Sequence, residues 1–213
     1  MSEEFARARR AMVDDQLAGR GIRDERVLEA MAAVPRERFV DEVSPAVAYA
    51  DGPLPIGRGQ TISQPYVVAL MLALAAPGPQ DRLLEVGAGC GYVAAVASRL
   101  AREVIGIERH PELADAARRH LAALDVVNAR IVTGDGTDGL PEVAPFDAVV
   151  VSAAAETVPE ALVGQLAVGG RLVVPRGGPR FQILERIVRE PDGGFSTTTH
   201  GGVAFVPLVG DTA

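Results

Sequence analysis

Leu83-Leu84-Glu85-Val86-Gly87-Ala88-Gly89-Cys90-Gly91-Tyr92 is the stretch on which the fold turns. Its apolar run, Leu83, Leu84 and Val86, is too short for a helix. It leads into three glycines at alternate positions and then into Val93-Ala94-Ala95-Val96-Ala97, which holds helix formers and no breaker. That order reads as buried strand, tight loop, helix. Glycine has no Cβ, so the backbone can turn sharply and approach a ligand, and the first N–H groups of the following helix lack intrahelical partners. Such a loop suits a nucleotide-like cofactor.

Spacing narrows the choice of cofactor. A dinucleotide fingerprint places its third glycine two residues further on, where Tyr92 stands here, and the third glycine is Gly91 instead. About 20 residues beyond the loop, Val104-Ile105-Gly106-Ile107-Glu108 is a second apolar run ending in an acid, placed to reach a ribose hydroxyl pair from the end of a parallel strand. Dinucleotides and S-adenosylmethionine both use such an acid. With Glu85 ahead of the loop, the pattern favours S-adenosylmethionine, whose sulfonium carries no pyrophosphate for a helix dipole to hold.

Alternation extends in both directions. Strands are predicted over Arg82–Val86, Glu103–Glu108, Ala129–Thr133, Phe146–Ser152 and Arg171–Val174, the last after a turn at Gly169-Gly170. Helices are predicted over Tyr92–Leu100, Pro111–Leu124 and Pro159–Leu166. Ile183–Arg189 and Gly202–Leu208, separated by Asp192-Gly193-Gly194 and no helix, read as a C-terminal antiparallel hairpin. The fold class is therefore α/β, a doubly wound, mostly parallel sheet. Upstream, Glu3–Arg20 has the pattern of one amphipathic helix, Asp24 caps a second over Glu25–Val34, and Tyr66–Leu74 is a third. Ser44–Pro65 is rich in proline and glycine and reads as an irregular, functional loop. The expected organisation is a helical cap and loop over residues 1–75 and a cofactor-binding domain over 76–213, in one compact unit.

Composition limits the function. The charge of 21 minus 28, or −7, opposes a general grip on nucleic acid phosphate. One cysteine precludes an internal disulfide and suits a reducing cytoplasm. No apolar run approaches a membrane span, and no export signal is evident at the N-terminus. His110, His120 and His200 have no metal-ligand spacing, so no metal is expected.

The chain resembles the protein-L-isoaspartate O-methyltransferase family from Met31-Ala32-Ala33-Val34-Pro35-Arg36 to Val206-Pro207-Leu208. The most specific block is Leu54-Pro55-Ile56-Gly57 with Gly59-Gln60-Thr61-Ile62-Ser63-Gln64-Pro65. Further blocks are Glu85 to Tyr92, Ile107-Glu108 with Pro111-Glu112-Leu113, Gly134-Asp135-Gly136, Ala144-Pro145-Phe146-Asp147, and Gln165-Leu166 with Gly169-Gly170-Arg171-Leu172. The resemblance implies a Rossmann-like class I methyltransferase. Its expected reaction moves the methyl of S-adenosylmethionine to the α-carboxylate of L-isoaspartyl residues in damaged proteins or peptides, giving S-adenosylhomocysteine and an ester that closes to a succinimide. A monomer without nucleic acid or membrane partners is expected. Two other readings stay open: a methyltransferase for an ordinary aspartyl carboxylate of one dedicated peptide, and a non-catalytic adaptor that binds the cofactor.

The resemblance assigns Ser63 as the active-site residue, its hydroxyl bonding the acceptor carboxylate, although Ser63 could equally cap the helix after Pro65. Thr61, Ile62 and Gln64 are expected to shape the substrate groove, with Val206 and Pro207 on its other side. Gly87, Gly89 and Gly91 are expected against the methionine part of the cofactor, Glu85 at the loop or the cofactor amine, and Glu108 at the ribose. Asp135 is expected at the adenine amino group with Gly136 beside it. Cys90 reads as a packing residue, and Arg176 and Gly201-Gly202 depart from the family pattern.

Overall fold

The computed structural model describes residues 3–41 and 43–210. Helix α1 (Glu3–Ala11) runs into a π-helical turn over Met12–Leu17 and a 3-10 turn over Ala18–Arg20, followed by α2 (Glu25–Ala33) and a short α3 (Pro45–Ala48). A small hairpin of β1 (Leu54–Gly57) and β2 (Gln60–Ile62) precedes α4 (Pro65–Ala75). The alternating part is β3 (Arg82–Val86), α5 (Tyr92–Ala97), β4 (Glu103–Glu108), α6 (Pro111–Ala123), β5 (Ala129–Thr133), β6 (Phe146–Val151), α7 (Glu160–Gly164) and β7 (Leu166–Gly178). β8 (Phe181–Arg189) and β9 (Phe195–Val203) complete it.

The large sheet has the order β5-β4-β3-β6-β7-β8-β9. Its first five strands are parallel, and β8 and β9 add antiparallel pairs. Side chains alternate between its faces. Leu83, Val104, Ala148 and Val150 join one cluster with α4, α5, α6 and the N-terminal helices. Leu84, Val86, Ile105, Ile107, Val149 and Val151 join the other with Leu162 of α7. Because α5 carries the chain from β3 to β4 while α7 carries it from β6 to β7 on the far side, the succession reverses around β3. That is the switch point at which open α/β sheets leave a crevice beyond the strand ends.

Several boundaries differ from the sequence reading. Glu3–Arg20 is not one α-helix: a π turn brings Met12, Val13 and Leu17 all inward, as an i→i+5 repeat allows, and Gly21 at φ +100° ends the run. Ser44–Pro65 is ordered into α3 and the β1–β2 hairpin, whose turn uses positive φ at Gly57, Arg58 and Gly59. Gly169 and Gly170 do not separate a helix from a strand but lie within β7. A Cβ on Gly170 would stand 2.7 Å from the Ala167 carbonyl oxygen, so that bend admits only glycine. The final strand is Phe195–Val203 and not Gly202–Leu208, which lies mostly beyond it. Residues 204–210 form a strap held to the sheet by an isolated bridge between Ala154 and Pro207.

Candidate active site

Three adjoining spaces open at the switch point. A cavity of about 250 Å³ lies beyond the ends of β3 and β4, lined by Val86, Gly87, Ile107, Glu108, Gly136 and Ala153 and covered by Pro207, Leu208 and Val209. A groove of about 610 Å³ has Thr61, Ser63, Gln64 and Val67 on one side and Arg180 to Gln182 with Gly202 to Val206 on the other. Between them is a narrow space of about 20 Å³ walled by Ser63, Glu85, Gly87, Gly89 and Ser152. Gly87 faces both the cavity and the narrow space, while Thr61, Ser63 and Ser152 face both the narrow space and the groove.

The glycine loop folds back on the sheet. Gly87 and Ala88 both donate their N–H to the Ile107 carbonyl at 2.9 Å, and Gly91 donates to Ala88 at 2.8 Å. Gly89 donates to Glu108 Oε2 and His110 to Glu108 Oε1, each at 2.8 Å. The Glu108 carboxylate is thus buried, oriented by two amides, and still at the cavity wall, where its remaining lone pairs can accept from hydroxyls. Positive φ at Gly87, Gly89 and Gly91 makes this path possible. Gly91 serves a different end from the one expected. It does not line any of the three spaces, and a Cβ there would meet Ala117 of α6 at 3.0 Å, so its bareness lets the loop pack against that helix.

Glu85 is fully buried on the face of β3 that it shares with Leu83, beside Gly106 of β4. Burial pushes its carboxyl well above the usual range; the Ser152 hydroxyl, donating to Oε1 at 3.4 Å, opposes that, and the nearby Glu108 charge adds to it. Its Oε2 has no hydrogen-bond partner among the described residues, and Glu85 lines the narrow space. Asp135 Oδ1 accepts from the Thr137 N–H at 2.8 Å and hydroxyl at 2.7 Å, while Oδ2 lies 3.2 Å from where a Cβ on Gly210 would stand. Gly136, not Asp135, lines the cavity, and a Cβ on Gly136 would stand 2.5 Å from Val86 Cγ1. Burial raises the Cys90 thiol to about 12, which leaves it protonated and inert at neutral pH, as a packing residue should be.

Ser63 does not cap α4. The cap position is Gln64, whose side chain donates instead to Asp51 Oδ1 at 2.8 Å. The half-buried Ser63 hydroxyl makes no hydrogen bond to another described residue and faces the groove. Thr61 and Gln64 line the groove, Ile62 the narrow space, Val206 the groove and Pro207 the cavity. Sequence reasoning missed Ser152 and His110. Ser152 directly follows β6, the strand on the far side of the switch point, and that position was the available signal. His110 starts α6 and lines the cavity through its place after Glu108.

The strap is anchored along its length. Ala154 N–H donates to Val206 at 2.8 Å, Leu208 N–H to Ala154 at 2.7 Å, and the Arg109 guanidinium to the Val209 carbonyl at 2.7 Å. Gln182 grips Phe205 twice, accepting from its N–H at 2.7 Å and donating to its carbonyl at 3.0 Å.

The family model for protein-L-isoaspartate(D-aspartate) O-methyltransferase matches residues 7–213. The chain belongs to that family. The protein-L-isoaspartate O-methyltransferase of Methylorubrum extorquens is 57% identical over 96% of this chain and 89% of its own length, and that of Methylorubrum populi is 55% identical over 95% of each. Among solved structures, a Plasmodium falciparum member of the family in complex with S-adenosyl-L-homocysteine superposes with a TM-score of 0.82 at 28% identity. It covers 94% of this chain and 98% of that one. The two folds therefore correspond over nearly the whole of each chain.

Proposed function

We propose that this chain transfers the methyl group of S-adenosylmethionine to the α-carboxylate of L-isoaspartyl residues in damaged proteins and peptides, beginning a repair that proceeds through a succinimide. The observation that carries this reading is the adjacency of the spaces: the narrow space shares Gly87 with a cavity suited to an adenosine, and Ser63 and Ser152 with a groove suited to an extended peptide.

The cofactor fits the residues present. Val86, Ile107 and Ala153 offer an apolar slot, Glu108 an acceptor for ribose hydroxyls, and Gly136 a floor with no room for a side chain. Glu85 lines the narrow space and its Oε2 has no partner among the described residues, which suits the cofactor's ammonium. Gly87 and Gly89 take the backbone past the methionine part, and Asp135, its Oδ1 fixed by Thr137, is assigned to the adenine amino group beside Gly136. When bound, the cofactor supplies an electrophilic methyl group on sulfur.

The chain's own residues supply position and dryness. An acceptor carboxylate with a pKa of about 4 is already ionised at neutral pH, so the site needs no base. The Ser63 hydroxyl donates to one carboxylate oxygen and leaves the other aimed into the narrow space. Thr61, Ile62 and Gln64 hold the acceptor from one side and Val206 from the other, while Pro207 and the strap exclude water. Fixing the reacting atoms at about 3 to 3.5 Å can supply most of the acceleration. The working form is taken as a monomer, and a lone buried thiol suits the cytoplasm.

The test supplies methyl-labelled cofactor with matched peptides holding L-isoaspartate or L-aspartate at one site. Base-labile label on the isoaspartyl peptide alone is expected. Label on the aspartyl peptide alone would replace the repair reading with a dedicated-peptide methyltransferase, and label on neither would leave a binding protein.

A further inference from the structure

Among the residues lining the acceptor groove, Arg180 alone carries a charge. It lies in the exposed turn between β7 and β8, and no other described residue forms an ion pair or hydrogen bond with its guanidinium. Other arginines of this side are paired: Arg176 with Glu185 at 2.8 Å, Arg20 at 2.7 Å with Asp51, which also accepts from Gln64 of the groove, and Arg58 of the cofactor cavity with Glu112. Glu156 approaches the same turn, its Oε1 3.7 Å from where a Cβ on Gly178 would stand, but it does not line the groove. Next to Arg180, Phe181 is 68% exposed and also faces the groove. An unpaired cation beside an uncovered aromatic ring, in a chain whose net charge is −7, is a local reversal of the molecule's field at the place where the acceptor lies.

We propose that Arg180 is a specificity residue that favours isoaspartyl sites with an aspartate or glutamate within a few residues of the damaged position. The inference rests on the methyltransferase reading above and adds the chemistry of the flanking sequence. An extended peptide advances about 3.3 Å per residue, so a side chain a few positions from the one at Ser63 can reach the β7–β8 turn. The flanking acid touches no reacting atom, so its effect belongs in KM and not in kcat. Because the pair is exposed, the preference is modest and sensitive to salt.

The experiment compares three isoaspartyl peptides that differ only in flanking glutamate, glutamine or lysine. The expected order of kcat/KM is glutamate over glutamine over lysine, with about two- to fivefold between the extremes, carried by KM and shrinking from about 20 mM to about 300 mM salt. Arg180→Gln is expected to bring the ratio near one, and Arg180→Glu to invert it. Equal kcat/KM for the three peptides, or a preference for glutamate that survives Arg180→Glu, overturns the inference while leaving methyl transfer intact. No methylation of any of them overturns the methyltransferase reading and the inference together.

Discussion

Ser63 is available for chemistry because the duty beside it falls elsewhere. Gln64 takes the cap position of α4 and reaches out to Asp51, and the Ser63 hydroxyl is left without a bond to another described residue. A hydrogen bond from a hydroxyl to a charged acceptor is worth about 1.5 to 3 kcal/mol, so Ser63→Ala should lower kcat/KM for an isoaspartyl peptide by roughly 10- to 100-fold. Calorimetry should find its affinity for S-adenosylhomocysteine within about twofold of the parent. Glu85 gives a second test at this scale. Its folded pKa lies above that of the unfolded chain, so between those values the native state keeps a proton that the unfolded state has lost. This group's contribution to stability is full below about pH 4 and declines as pH rises toward the folded value. Glu85→Gln cannot ionise, and its stability relative to the parent in urea melts should therefore increase as pH rises above about 4. If Glu85 receives the cofactor's ammonium, binding should also release a proton, read from the buffer dependence of the binding enthalpy, and Glu85→Gln should abolish that release.

At the scale of elements, legibility followed burial. β3 and β4 were readable to the residue, since parallel strands covered on both faces are apolar runs between breakers, whereas β5, an edge strand in which only Ile131 is buried, was readable from its place in the strand–helix alternation. β9 was not, because Phe195–Val203 is an exposed edge whose Ser and Thr residues show no alternation, and only its pairing with β8 makes it a strand. Residues 204–208 misled in the opposite sense, being apolar because they wall two ligand spaces and not because they pair. Glu108 was legible as a site residue from its place at a strand end. Gly91 was not, since a glycine pressed on a helix and a glycine facing a ligand look alike in sequence. At φ +86° and 3.0 Å from Ala117, Gly91→Ala should cost about 1 to 3 kcal/mol in chemical denaturation, by strain and by displacement of α6.

At the scale of the molecule, the cap, the sheet and the strap each contribute a wall to one cleft. The cap is tied to the glycine loop behind the cofactor side: Arg36, wholly buried, donates to Ala48 at 3.0 Å and stands 5.2 Å from the Tyr92 ring, and Phe39 meets Tyr92 edge-on at 5.3 Å. On the open side, Gln182 is the strap's firmest side-chain anchor. Gln182→Ala would leave both polar groups of Phe205 without that partner, and should cost about 1 to 3 kcal/mol. In steady-state assays it should raise KM for peptide and cofactor together, whereas Ser63→Ala acts on the peptide side alone.

Six consecutive residues, 204–209, answer to two ligands of unlike chemistry, a nucleoside beneath one half and a polypeptide beside the other. Drift in that segment is consequently filtered twice. A replacement that widens the berth for bulkier damaged chains loosens the roof over the donor as well, so new substrate tastes are acquired more freely at the β7–β8 turn, which borders the peptide alone.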